Sequence, residues 1–164
     1  RTTRISTRQQ QINTISTPLM DEAVRFTLSK EERISSKRQI DRLFGGGGSR
    51  SITSYPIRAV YLLERTDGEN TPVSILASVP KKCFKRAVKR NRVKRQLREA
   101  YRKNKHSIIN KVNSLEGMSL MIAFIWMESK LYDSKTVEQK IKNLLQRIEE
   151  KVRHEKGREQ TIQP

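Results

Sequence analysis

KKCFKRAVKRNRVKRQLREAYRKNK, residues 81–105, holds 13 basic residues and one acidic one, Glu99, a local excess of +12. At about 100° per residue, Val93, Leu97, Ala100 and Tyr101 fall on one arc of a helix. Arg92, Lys94, Arg95, Arg98, Arg102 and Lys103 fall on the opposite arc, with almost no carboxylate to neutralise them. Val88 lies off the apolar arc, so the regular helix is expected to start near Lys89 and end near Lys105, with 81–88 approaching as a separate basic loop. The apolar arc is narrow and belongs to a core, which makes the helix one layer of a mixed fold.

A charge run is usually a solvated face. Solubility, however, is served by mixed signs rather than one dense patch. Arginine predominates here, and its planar fork suits bidentate phosphate contacts. The whole chain of 164 residues carries a formal net charge of +18, and a polyanionic partner relieves self-repulsion of that size. The patch is therefore read as an RNA- or DNA-binding face. It lacks interleaved aromatics, so backbone and shape recognition is expected over base readout. A basic amphipathic helix lying on a membrane is the other possibility, but the apolar arc is needed for the core.

With 34% hydrophobic and 5% aromatic residues, the chain affords one modest core. Residues 1–19 read as a disordered basic arm carrying Arg1, Arg4 and Arg8, residues 20–152 as a single RNA-binding domain, and 153–164 as a flexible tail. No apolar run reaches the length of a membrane span, and the single cysteine, Cys83, excludes an internal disulfide. A soluble cytoplasmic protein, without membrane contact or an evident protein partner, is the expectation.

Outward from the basic helix, 30–44 has helical spacing with Ser29 as cap, 55–63 and 73–79 read as strands, and 119–127 as a third strand. Val137, Ile141, Leu144, Leu145, Ile148 and Val152 form one apolar stripe on a last helix capped by Ser134. The order is α-β-β-α-β-α, an α+β fold with a small, mainly antiparallel sheet packed by helices and a split βαβ unit. FGGGGSRS, residues 44–51, lacks the preceding strand and the Gly-Lys-Ser/Thr of a phosphate-binding loop. It reads instead as the end of the first helix, with a left-handed turn at Gly45.

RNRVKRQLREAYR, residues 90–102, resembles the signature of the bacterial ribonuclease P protein family, with an Arg-Asn-Arg motif opening a basic helix. That helix should follow a strand ending in Ser-Val-x-Lys-Lys, and ILASVPKK, 75–82, supplies one; RISSKRQIDRLF, 33–44, fits most of the family's first helix. The resemblance implies an accessory subunit of a ribonucleoprotein endonuclease whose RNA is the catalyst and which removes the 5′ leader of precursor tRNA. It implies catalytic-RNA contacts at Arg90, Arg92, Lys94, Arg95, Arg98 and Arg102. It implies a leader cleft at Ile40, Phe44, Tyr61, Ser78, Lys81 and Lys82, Mg²⁺ held mainly by RNA with Asn91 near a metal, and a left-handed crossover.

Each residue has a plainer reading beside it. Phe44 and Tyr61 serve equally as core aromatics, and Asn91 as a helix cap. His106 reads as a solvated helix-end residue, and Cys83 has cationic neighbours but no evident base. Three departures from the family pattern stand out: Ile40 where an aromatic is usual, a link from Lys82 to Arg90 one residue longer and without its glycine, and the glycine run. A structural, ribosomal-type RNA-binding protein is the alternative function.

Overall fold

The structure is a computed structural model that describes residues 27–45, 47–67 and 71–159, with side chains to Glu155. The basic arm 1–19 and the end of the tail, 160–164, lie outside the described residues. The elements are α1 (Lys37–Gly45), β1 (Arg50–Ser54), β2 (Ile57–Arg65), β3 (Val73–Ser78), α2 (Ala87–Asn104), α3 (His106–Asn113), β4 (Met118–Trp126) and α4 (Ser134–Glu159). The sheet order is β1-β2-β4-β3, antiparallel except for the β3–β4 pair. The α+β class and the split βαβ unit stand, with α2 and α3 together forming the crossover between parallel strands.

β4 sits in the middle because MSLMIAFIW has almost no polar side and can be covered on both faces. Its Leu120, Ile122, Phe124 and Trp126 join the larger core with Ile57, Ala59 and Tyr61 of β2 and Ile75 of β3. The α4 stripe from Val137 to Val152 closes that core as the spacing predicts, each of its six residues no more than 4% exposed, and α4 also packs on α2. Met121 and Ala123 face the other way, into a smaller core with Ile34, Leu43 and Val60 under α1.

Several boundaries differ from the sequence expectation for tertiary reasons. The first helix begins at Lys37 rather than Lys30. Ser29 and Glu32 cap each other in a turn, Ser29 N–H donating to Glu32 Oε2 at 2.7 Å. The next residues then pair with the outer edge of β3, with Ile34 N–H on Ile75 O and Ile75 N–H on Glu32 O, both at 2.8 Å. Glu32 is fixed there by a buried ion pair, Lys105 Nζ lying 2.7 Å from its Oε1 and also donating to Thr27 O at 2.6 Å.

β1 and α3 are additions to the expected order. Residues 55 and 56, expected in a strand, are instead the turn between β1 and β2, with a cis Tyr55–Pro56 bond. Asp133 rather than Ser134 caps α4, accepting the Thr136 N–H at 3.1 Å and its hydroxyl at 2.5 Å. Gly45 is the last residue of α1, and the positive φ, 71°, falls at Gly47 rather than at Gly45. α4 continues past Val152, and Glu155 within the expected tail pairs with Arg50 at 2.8 Å.

Candidate RNA interface

α2 buries Val93, Leu97, Ala100 and Tyr101, each at most 3% exposed, so the opposite arc is committed to solvent. The helix begins at Ala87, two residues before the expected start, and Val88 is 79% exposed, as its place off the apolar arc requires. Asn91 is therefore inside the helix and exposed, and it caps nothing.

The basic residues divide by what already holds them. Arg90 is half-buried and donates from Nη1 to Phe84 O at 2.8 Å and Lys85 O at 2.7 Å, which fastens the 81–86 loop to the first turn. Arg102 donates from Nε to Glu99 Oε2 at 2.9 Å and pairs a second time with Oε1. Among the described residues no carboxylate pairs with Arg92, Lys94, Arg95 or Arg98. With Lys89 in the first turn, these are the open cations of the helix. Burial, and then the nearby Arg33 guanidinium, hold Arg98 below the usual arginine value.

The second surface lies beside α1. Cross-strand register puts Ser78, Ile125, Arg58 and Thr53 in one row across all four strands. The neighbouring row, Leu76, Ala123, Val60 and Ser51, runs toward the small core that α1 covers. Arg42 reaches up to Glu64 at 3.2 Å. Helical spacing sets Ile40 and Phe44 on the opposite flank of α1, facing the uncovered row. Leu43 between these flanks is fully buried, Ile40 is half-buried and Phe44 is 49% exposed. Ser78 is half-buried and Lys81 and Lys82 are exposed in the turn that leaves β3. The result is a trough, with an apolar wall from Ile40 and Phe44, Ile125 in its floor, and Lys81 and Lys82 at its β3 end.

Tyr61 does not belong to it. It is 2% exposed and packs in the larger core with Ile57, on the face of β2 opposite Val60 and Leu62. Expecting it in the cleft is an error of strand parity. Sequence reasoning also missed Arg58, exposed on the floor and donating to Ser51 Oγ at 3.4 Å, and Tyr55, 55% exposed at the β1–β2 turn. The signal for Arg58 was present: a charged residue within IRAVYLLE fixes which parity faces out, and places Tyr61 in. Cys83, by contrast, is buried, its thiol directed at Trp126 O at 3.6 Å.

A cationic helix of open guanidiniums beside a half-apolar trough defines a small α+β protein built to bind a polyanion. The profile of the family Ribonuclease P matches residues 28–149, and the chain belongs to the ribonuclease P protein family. It is thus a subunit of the ribonucleoprotein endoribonuclease of tRNA processing, and membership implies association with ribonuclease P RNA. A ribonuclease P protein component from Porphyromonas gingivalis is 44% identical over 123 residues, covering 75% of this chain and 87% of the relative. One from Chlorobaculum tepidum is 33% identical over 104 residues, 60% of this chain and 66% of that one.

The ribonuclease P protein of Thermotoga maritima has the same fold, with TM-score 0.52 and 22% identity over 71% of this chain and 96% of that one. A Staphylococcus aureus ribonuclease P protein mutant superposes with TM-score 0.51 at 18% identity, over 82% and 95%. Among the described residues no helix is long and apolar enough to cross a membrane.

Proposed function

We propose that α2 binds ribonuclease P RNA through Arg92, Lys94, Arg95 and Arg98, while the trough holds the single-stranded 5′ leader of precursor tRNA. The observation that carries this reading is continuity. Ser78 ends the floor of the trough, Lys81 and Lys82 follow in the turn, and α2 starts at Ala87. A polyanion on the helix and a second strand in the trough are thereby held side by side, with cations between them. The chain contributes by screening two RNAs from each other and by fixing the leader, not by breaking a bond itself.

Phe44 offers a ring on which a splayed base stacks, and Arg58 within the floor and Lys81 and Lys82 at its β3 end offer donors to phosphates. Arg90 and Arg102 support the helix face from within their own contacts. Mg²⁺ is expected at the RNA. Magnesium asks for several oxygen ligands, and Asn91 supplies one amide oxygen between two arginines. Among the described residues no three His, Cys, Asp or Glu side chains stand together as further ligands. Asn91 alone does not make a site for the ion, and any ion there takes its other ligands from phosphates. With precursor tRNA as the proposed substrate, the cytoplasm is the compartment we propose for the activity.

The test is cleavage of precursor tRNA at low Mg²⁺ by the cognate RNA alone, the protein alone and the two together. The pair should outperform the RNA, and the gain should shrink as monovalent salt competes for phosphates. A protein that leaves cleavage by its cognate RNA unchanged defeats the proposal. Equal affinity for leader-bearing and mature tRNA would instead point to an RNA-binding role without a leader cleft.

A further inference from the structure

Arg33 lies outside α2, yet it shares an open depression of about 700 Å³ with that helix, lined by Leu28, Arg33, Arg95, Arg98, Glu99 and Arg102. Its position is set from several sides. The backbone at Arg33 bridges to Ile75 at the β3 edge, the neighbouring Glu32 is locked to buried Lys105, and Arg33 Nη2 donates to Leu28 O at 3.3 Å. Arg95, Arg98 and Arg102 reach the same depression because residues three and four apart share a helix face.

The charges in this depression do not cancel. Four guanidiniums face one carboxylate, and that carboxylate, Glu99, is engaged by Arg102. Among the described residues no carboxylate pairs with Arg33, Arg95 or Arg98. Arg33 lies close enough to Arg98 to disfavour the charge on Arg98, although they come from separate elements. The fold uses a strand pairing and a buried ion pair to bring a third cation to a site that already has two. Planar forks from different directions are the arrangement that takes a tetrahedral oxyanion, each fork offering paired donors to two oxygens.

We propose that Arg33, Arg95 and Arg98 form a site for one backbone phosphate of the RNA bound along α2, with the segment around Arg33 serving as its third wall. The inference rests on the reading of α2 as the RNA-facing helix. It adds a phosphate contact from outside the Arg-Asn-Arg helix, and makes Arg33 an RNA-binding residue rather than a prop for the first turn.

The test measures binding of the full chain to its cognate RNA across a range of monovalent salt. Arg33→Gln should weaken binding about tenfold and reduce the slope of log affinity against log salt by about one, as loss of one phosphate contact does. Arg33→Lys, which keeps the charge, should restore the slope. Unchanged affinity and slope in Arg33→Gln, with Arg95→Gln weakened, overturns the inference and leaves the α2 reading intact. Unchanged binding in both variants overturns the α2 reading itself.

Should Arg33→Gln fail to fold, Arg33→Met, which keeps the aliphatic stem and removes the charge, carries the same measurement. Melting with inorganic phosphate separates the two sources of the anion. A phosphate-induced rise in the wild-type melting temperature that Arg33→Gln lacks, with RNA binding equal in the two, would make the occupant free phosphate and overturn the assignment to RNA.

Discussion

Truncating Phe44 to alanine should weaken leader binding while sparing the fold, and its neighbour Leu43 supplies the contrast. Phe44 is 49% exposed, so its truncation forgoes about half the burial of a phenylalanine, roughly 1 kcal/mol of stability. Leu43 is fully buried in the smaller core, and Leu43→Ala should cost about 2–5 kcal/mol. Base stacking on an aromatic ring contributes about 1–3 kcal/mol per base, so Phe44→Ala should lose roughly 5- to 150-fold in leader affinity.

The assay compares dissociation constants of the reconstituted holoenzyme for leader-bearing and mature tRNA, alongside denaturant unfolding of each protein variant. Phe44→Ala should narrow the gap between the two tRNAs, and mature tRNA should bind as before. Tyr61→Phe, which deletes only a buried hydroxyl, should leave the gap untouched. If Phe44→Ala keeps the full preference for the leader, or if Tyr61→Phe loses it, the placement of the trough is wrong.

Lys105→Met should destabilise the fold by about 3–5 kcal/mol in denaturant unfolding, because it leaves the Glu32 carboxylate buried without its partner. Adding Glu32→Leu should recover most of that loss, and a double variant no better than the single one would show the pair is not the cause. Asp133 gives a pH signature. The Thr136 hydroxyl, and then the Thr136 N–H, hold its carboxyl below the ordinary value of 3.8. Its folded value is depressed, so the cap contributes fully above the unfolded value and is lost as pH falls through the folded one. Asp133→Ala should therefore lower the melting temperature at neutral pH, with a deficit that shrinks in acid below the ordinary value; a deficit constant down to the lowest pH contradicts this.

The parts of the fold with long, unmixed patterns were legible in the chain. The α4 stripe, the apolar run of β4 and the apolar arc of α2 each identify an element because one physical requirement, burial, acts on every turn or every other residue. β1 gave no such signal. RSITS is five residues long with only Ile52 buried, and an edge strand that packs on one side needs little more. α3 was hidden by continuity, since Lys105 between it and α2 keeps helical angles of −74° and −19°. The segment 29–36 resembles a helix locally, but its partners, Ile75 and Lys105, lie far along the chain.

The site followed the same division. The open cations of α2 were readable from spacing, whereas Phe44 was pointed to only by the family resemblance. Tyr61 was misplaced because parity along a strand depends on register, and Tyr61 offers as much apolar surface to a core as to a cleft. Arg33 went unnoticed as a ligand because its nearness to Arg98 depends on a strand pairing that no local pattern encodes.

The floor of the trough crosses the strands rather than following one. Ser78, Ile125, Arg58 and Thr53 each come from a different strand, so the length of the floor is counted in strands, about 14 Å from β3 to β1 at about 4.8 Å per step. Stacked nucleotides rise about 3.4 Å each, so roughly four of them fit along it. If the trough holds the leader as proposed, the sheet acts as a ruler for that strand, graduated by hydrogen-bonded neighbours. β1, the element with the faintest mark in the sequence, sets its last division: without that edge the ruler ends at Arg58, about one nucleotide short.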